Sequence, residues 1–202
     1  SNIEAARLSL PDTVHGTVTR RIDRLDADSQ LTLKVASVSG LRFPTSLIVD
    51  VHPVVRKEPE RVRRHLEAHR HLDLLQTDEI EELEGYAFRH GILRDVAYSL
   101  LLYSQRRQLH RNVVRWYEHA RERDLSRYFA LLAHHLEAAD EPDRAADYLR
   151  REAERVFGLG LARQSVDIGR RAAALLGAEI PSDGPELQRE IGREFERISK
   201  LY

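Results

Sequence analysis

Tyr86-Ala-Phe-Arg-His90-Gly-Ile-Leu-Arg-Asp-Val-Ala-Tyr98-Ser-Leu-Leu-Leu102, followed by Arg106-Arg107-Gln-Leu109-His110-Arg-Asn-Val113, decides how the rest of this 202-residue chain is read. Tyr86 to Arg89 alternates like a short strand and passes directly into helical spacing, with His90 at the junction. From His90 the residues Ile92, Val96 and Leu100 share one helical face. From Tyr103 a second helix aligns Leu109, Val113 and Trp116. A helix N-terminus presents unpaired backbone N–H groups and a partial positive charge. A histidine there stands where a phosphate can be held.

Upstream of the junction the chain reads as helices. Pro11-Asp12-Thr13 starts one, in which Val14, Val18, Ile22 and Leu25 form an apolar stripe. Asp26 or Asp28 caps the next, with Leu31, Val35 and Val38 on one face and Gly40 as its stop. Leu41 to Val51 is expected to be a short helix packing Phe43 and Leu47 inward. Pro59-Glu60 opens another, with Val62, Leu66 and His69 on the buried side. Leu74 to Thr77 then reads as a strand, Asp78 to Gly85 as an acidic turn and Tyr86 to Arg89 as the return strand. Three helices and a terminal hairpin are the parts of a winged helix.

From Ser126 the texture changes. Helical segments near 126–139, 143–157, 161–176 and 185–199 are separated by Glu141-Pro142, Gly158-Leu-Gly160 and Pro181-Ser-Asp-Gly184. Antiparallel helix pairs on short turns point to an α-solenoid of TPR-like units. Ala153, Ser165 and Ala172 occupy the small positions of one unit, and Val156 its bulky one. The expected fold class is therefore mainly α: a winged-helix module with a small β-hairpin over residues 1–122, then TPR-like antiparallel helix pairs over 123–202. The boundary falls in the charged run Arg121-Glu-Arg-Asp124.

Composition narrows the function. Charged residues make up 32% of the chain, but 32 Lys+Arg against 33 Asp+Glu leave a net charge of −1, so no global field favours nucleic acid or anionic lipid. Cysteine is absent, which excludes disulfides, thiolate metal sites and cysteine nucleophiles. No apolar run approaches a membrane span, so no membrane partner is expected and a cytoplasmic location is the default. Lysine occurs only at positions 34, 57 and 200, the arginine bias of GC-rich bacteria. The lack of methionine fits a piece of a longer protein, with Ser1-Asn2 as a tag remnant. The motifs G-x-x-x-x-G-K-[ST], G-x-S-x-G and H-E-x-x-H are all missing, so the chain is expected to be non-catalytic.

Among single residues His90 is the sharpest candidate site, set against a plain capping or packing role. Arg89 is the candidate second phosphate contact, although a strand arginine beside an acidic hairpin more often makes a surface ion pair. Asp95 is expected to support its helix or pair with a nearby arginine. His65 and His69 lie four residues apart and, with His71, raise a metal. With no third suitable ligand and with Arg64 and Arg70 adjacent, a solvated basic face is the weightier reading. His134-His135 read as one exposed and one buried side chain. Arg56, Lys57, Arg61, Arg63, Arg64 and Arg70 give the helix region before the hairpin a modest basic excess suited to a DNA groove. The hairpin, however, carries Asp78, Glu79, Glu81, Glu82 and Glu84, which would face phosphates in a DNA-bound winged helix and repel them. That decides against DNA.

The stretch Tyr86 to Val113 resembles the histidine-bearing junction that ends the winged helix of STAND-type signalling ATPases. It is most similar to that of the large bacterial ATPase/TPR proteins often fused to class III adenylate or guanylate cyclases. Leu10-Pro-Asp-Thr-Val14 through Arg21-Ile-Asp-Arg-Leu25 resembles the linker helix after the ATPase lid, Ala36 to Gly40 with Phe43 its next helix, and Ala133-His-His-Leu-Glu-Ala138 the first repeat helix. The similarity covers Leu10 to Leu176. Departures are the more apolar Ser99-Leu-Leu-Leu102 and Gly91 in place of a small or aliphatic residue. The resemblance implies that His90 contacts the β-phosphate of ADP and locks an inactive arrangement. The lid signature is missing before the linker, so the ATPase domain that binds ATP or ADP with Mg would lie upstream in the parent protein. Besides that domain, a protein partner is implied on the TPR-like surface. Two alternatives are a DNA-binding winged-helix transcription regulator and a pure protein-interaction scaffold.

Overall fold

A computed structural model describes residues 12–55 and 58–178, mainly helical with one small antiparallel sheet. The expected helix at 185–199 lies outside the described residues, as do Arg56 and Lys57. Contacts divide the chain into two compact units, Ser1–Leu109 and His110–Tyr202.

In the first unit the order is α1 (Asp12–Asp23), α2 (Ala27–Ser39), β1 (Arg42–Pro44), α3 (Thr45–Val51), α4 (Pro59–His71), β2 (Leu75–Ile80), β3 (Leu83–Phe88) and α5 (Gly91–Ser99). The Asp26 carboxylate caps α2 by accepting from the Ser29 amide at 2.9 Å. That bond holds Asp26 below the usual carboxylate range. Gly40, at φ 119°, ends the helix in a conformation L-residues rarely adopt. Pro59 occupies the first turn of α4, where its missing N–H costs nothing. Asp73 follows α4 in the left-handed region at φ 55°, and the Leu74 amide returns to the His69 carbonyl at 3.0 Å.

The expected helix over Leu41–Val51 is corrected at its front end. Residues 42–44 form strand β1, and the helix begins only at Thr45. Pro44 is the cause, because a residue before proline is pushed toward extended backbone and proline cannot donate within a helix. β1 pairs with β3 across Phe43↔Tyr86, β2 pairs with β3 across Thr77↔Tyr86, and the sheet order is β1-β3-β2. The bounds of the acidic turn, expected over Asp78 to Gly85, are also corrected. Strands run through Ile80 and resume at Leu83, leaving a two-residue tip of Glu81 and Glu82, both at positive φ (50° and 66°). The sequence signal for such a tip is Asn-Gly, and its absence left the hairpin legible but its turn too long.

β3 is the central strand, and Gly85 to Phe88 are buried throughout rather than alternating. A Cβ on Gly85 would lie 2.5 Å from the Phe43 carbonyl oxygen, so the close approach of β1 to β3 at this point requires glycine. Ile22, Leu33, Phe43, Leu47, Ile48, Leu66, Leu74 and Leu75 are fully buried. In α5 the buried face is Leu93, Val96 and Ala97, one step round from the expected stripe of Ile92, Val96 and Leu100.

The helix α6 (Tyr103–Ala120) follows, with Leu109, Val113 and Trp116 buried as its spacing implies. The second unit continues with a 3₁₀ stretch (Glu122–Tyr128), α7 (Phe129–Ala138), α8 (Pro142–Gly158) and α9 (Ala162–Leu175). The expected helix from Ser126 thus begins as 3₁₀ turns. Its core joins Val114, Tyr128, Leu132, Leu136, Tyr148 and Leu149 to the small residues Ala133, Ala145, Ala146 and Ala172. Ala153, Ser165, Ala172 and Val156 are all buried. Ser165 Oγ donates to the Ala153 carbonyl at 2.8 Å, a bond open only to a small side chain between closely packed helices. Gly160, at φ 80°, turns the chain between α8 and α9.

Candidate functional site

His90 is the N-cap of α5, in extended backbone (φ −142°, ψ 142°), and its ring is exposed. Its carbonyl accepts from the Leu93 amide at 3.0 Å, but its side chain makes no capping bond to the helix. The strand end before it is pinned on both sides. The Phe88 amide donates to the Leu41 carbonyl at 2.9 Å, and the Arg89 amide donates to the Leu74 carbonyl at 3.1 Å. His90 therefore stands between a fixed strand end and the start of a nine-residue helix.

Arg89 is exposed and its guanidinium donates to Asp73 at 2.9 Å, the surface ion pair that its place in the strand favours. Arg89 and Asp73 border an open depression of about 390 Å³ that also takes in Arg70, His71, Gln76 and Thr77. Arg70 is held by Glu67 through two nitrogens, so the cations here already have carboxylate partners. On α5, Arg94 donates to the Ser37 carbonyl at 3.0 Å and to Asp95 at 2.9 Å. Arg94 and Arg106 both stack on the Tyr98 ring, at 5.2 and 4.7 Å. Arg106 also donates to the carbonyls of Ser99 and Leu101, tying the end of α5 to the start of α6. Nothing in the spacing of the sequence singles out that clamp.

The three histidines weighed as a metal site have separate environments. His71 is exposed beside Glu67. His69 is fully buried, with Nε2 2.9 Å from Ser29 Oγ, and His65 is half-buried, with Nδ1 2.8 Å from Thr32 Oγ1. His69 thus lies on the buried side, as its helical spacing implies, and the solvated face is corrected for His65, since α4 turns both rings onto the hydroxyls of α2. His52, unremarked in the sequence, joins them. Its Nε2 lies 3.2 Å from Thr32 Oγ1. Burial is the main cause pushing His52 and His69 down to about 4, and it lowers His65 as well. The i, i+4 histidines of α4 opposite the i, i+3 hydroxyls of α2 were the available signal. Among the described residues no group of three or more His, Cys, Asp or Glu side chains is arranged to hold a metal ion.

In the second unit His135 is buried and His134 exposed, and His135 Nδ1 lies 2.7 Å from His110 Nδ1. Arg144 bridges Glu118 and Glu141 at 2.8 Å each, and Tyr148 donates to Glu118 at 2.7 Å. Phe157, Leu159 and Leu161 are exposed around the α8–α9 turn. Among the described residues no helix is long and apolar enough to cross a membrane.

The chain matches no protein-family model, no curated protein and no solved structure.

Proposed function

We propose that this chain is a non-catalytic regulatory part of a bacterial signalling ATPase, of the kind linked to a class III nucleotide cyclase. In this reading the region up to residue 122, a linker helix and a winged-helix module with following helices, docks on a nucleotide-binding domain of the parent protein, and the later helix pairs act as TPR-like units that hold a protein partner. The observation that carries it is His90, an exposed imidazole at a helix N-cap whose side chain is not spent on capping. An imidazole N–H at a helix N-terminus is suited to a terminal phosphate oxygen. The resemblance of Tyr86–Val113 to the STAND junction supports the same assignment. Arg89 would join the phosphate only by leaving Asp73. ATP or ADP with Mg would belong to the partner domain.

The test is His90→Ala in the parent protein. ADP should dissociate at least tenfold faster and basal output should rise. Unchanged ADP retention and output reject the lock. The apolar turn of Phe157, Leu159 and Leu161 favours a second reading, a scaffold in which only the later helices matter. Partner capture that survives His90→Ala but is lost without residues 125–202 would favour it. The DNA reading is disfavoured by the acidic hairpin and by the pairing of Arg61, Arg63 and Arg70 with carboxylates of their own.

A further inference from the structure

His52 follows the last residue of α3, and its ring faces the seam between α2 and α4. Its Nδ1 accepts two backbone amides, from Val54 at 3.2 Å and Val55 at 3.1 Å. A nitrogen that accepts two N–H bonds carries no proton, so the ring's single proton lies on Nε2. Nε2–H then donates to Thr32 Oγ1 at 3.2 Å. That hydroxyl oxygen is also 2.8 Å from His65 Nδ1 and donates to the Asp28 carbonyl at 3.0 Å. Next along the seam, His69 Nε2 meets Ser29 Oγ, and its buried Nδ1 has no hydrogen-bond partner. The network is complete at His52 only while that ring is neutral.

An imidazolium has two N–H donors and no acceptor. A second proton on His52 would aim an N–H at the two amides that now donate to it, and rotating the ring restores nothing. We propose that His52 is a proton-operated latch, which when neutral holds the Val54–Val55 turn closed and when protonated releases that turn and loosens α4 from α2. This does not depend on the reading of His90. The groups facing His52 act in opposite directions. Asp28 at the start of α2 favours the proton, whereas His65 and Arg61 on α4 oppose it, and Arg61 is itself paired with Asp28. Its own helix carries one carboxylate, Asp50. His69 feels Asp26 and His65 in the same opposed way. With a released ring titrating near 6.5 and the latched ring at about 4, opening rises about tenfold at pH 5.5 and about thirtyfold at pH 5 relative to neutral pH.

The experiment is amide hydrogen exchange by NMR on the 202-residue chain between pH 7.5 and 5.0, with rates divided by the intrinsic chemical rates. Protection at Val54 and Val55 should fall about thirtyfold at pH 5, while amides in α8 stay flat. His52→Asn keeps an acceptor oxygen near the place of Nδ1 but cannot titrate, so its turn should lose less than threefold. A pH-independent turn in the wild type, or the same fall in His52→Asn, overturns the latch. Should His52→Asn fail to fold, the ring ¹⁵N shifts of the wild type decide. An Nε2–H tautomer at pH 7.5 that titrates together with the loss of protection supports the proposal. An Nδ1–H tautomer, or ordinary titration with the turn intact, overturns it.

Discussion

The two units of this chain are held together by contacts of different reach. In the first, partners come from far along the sequence. β1 at 42–44 pairs with β3 at 83–88, and Ser29 meets His69 across 40 residues. In the second, neighbours pack on neighbours, α7 on α8 and α8 on α9, with Ser165 reaching Ala153 only 12 residues back. Their interiors differ as well. Alanines at the helix crossings fill much of the second, beside the buried imidazole pair of His110 and His135, while the first threads hydroxyls and imidazoles together through its seam. Long-range pairing leaves little slack, because one residue of the wrong size or charge disturbs elements that have no local reason to meet.

The comparison breaks most readily at Phe43, which is fully buried on β1 and packs edge-to-face on Phe88 at 5.9 Å. Phe43→Ala is expected to cost about 3–5 kcal/mol in chemical denaturation. A loss under 1 kcal/mol would mean that β1 is not integral to the first unit.

Acid comes next. The unfolded ring of His52 or His69 takes up a proton near 6.5, whereas the folded ring waits until about 4. Between those values the unfolded state binds more protons, so this stability is fully present above about pH 6.5 and is lost as pH falls toward 4. The loss is on the order of 3 kcal/mol per ring. Denaturation at pH 7.5 and 5 checks this, and a first unit equally stable at both would refute it.

One substitution made twice sharpens the contrast. Gly85→Ala forces a Cβ to 2.5 Å from the Phe43 carbonyl oxygen and should cost about 1–3 kcal/mol. Gly158→Ala, near the end of α8 with nothing within 4 Å, should instead stabilise by about 0.4–1 kcal/mol. Thermal melts of the two variants should move in opposite directions. Shifts of the same sign would remove the distinction between the tightly paired strand and the open helix.

Legibility in the sequence follows the same division. Helical spacing located Leu109, Val113 and Trp116, and the pattern of a short helical repeat located the small residues Ala153, Ser165 and Ala172, because helices packed on their neighbours write their buried faces into the local sequence. The first unit was readable where it is local, in the Asp26 cap, the Gly40 stop and the Pro59 start. It was not where the partner is distant. Strand β1 is three residues long and carries no alternation of its own, and only Pro44 hinted that helix could not begin earlier. His90 was legible as a junction because strand and helix adjoin in sequence. His52 was not, because its partner Thr32, and His65 on the far side of that hydroxyl, lie on two other helices.

The hairpin tip bears on the order of assembly. Glu81 and Glu82 both sit in left-handed backbone, which costs an L-residue about 1–2 kcal/mol and gives the turn no preference for closing by itself. β2 and β3 are therefore expected to zip only once the helices and β1 supply a surface, a late step in folding. An Asn-Gly tip would let it nucleate early, and refolding would quicken while unfolding kept its pace.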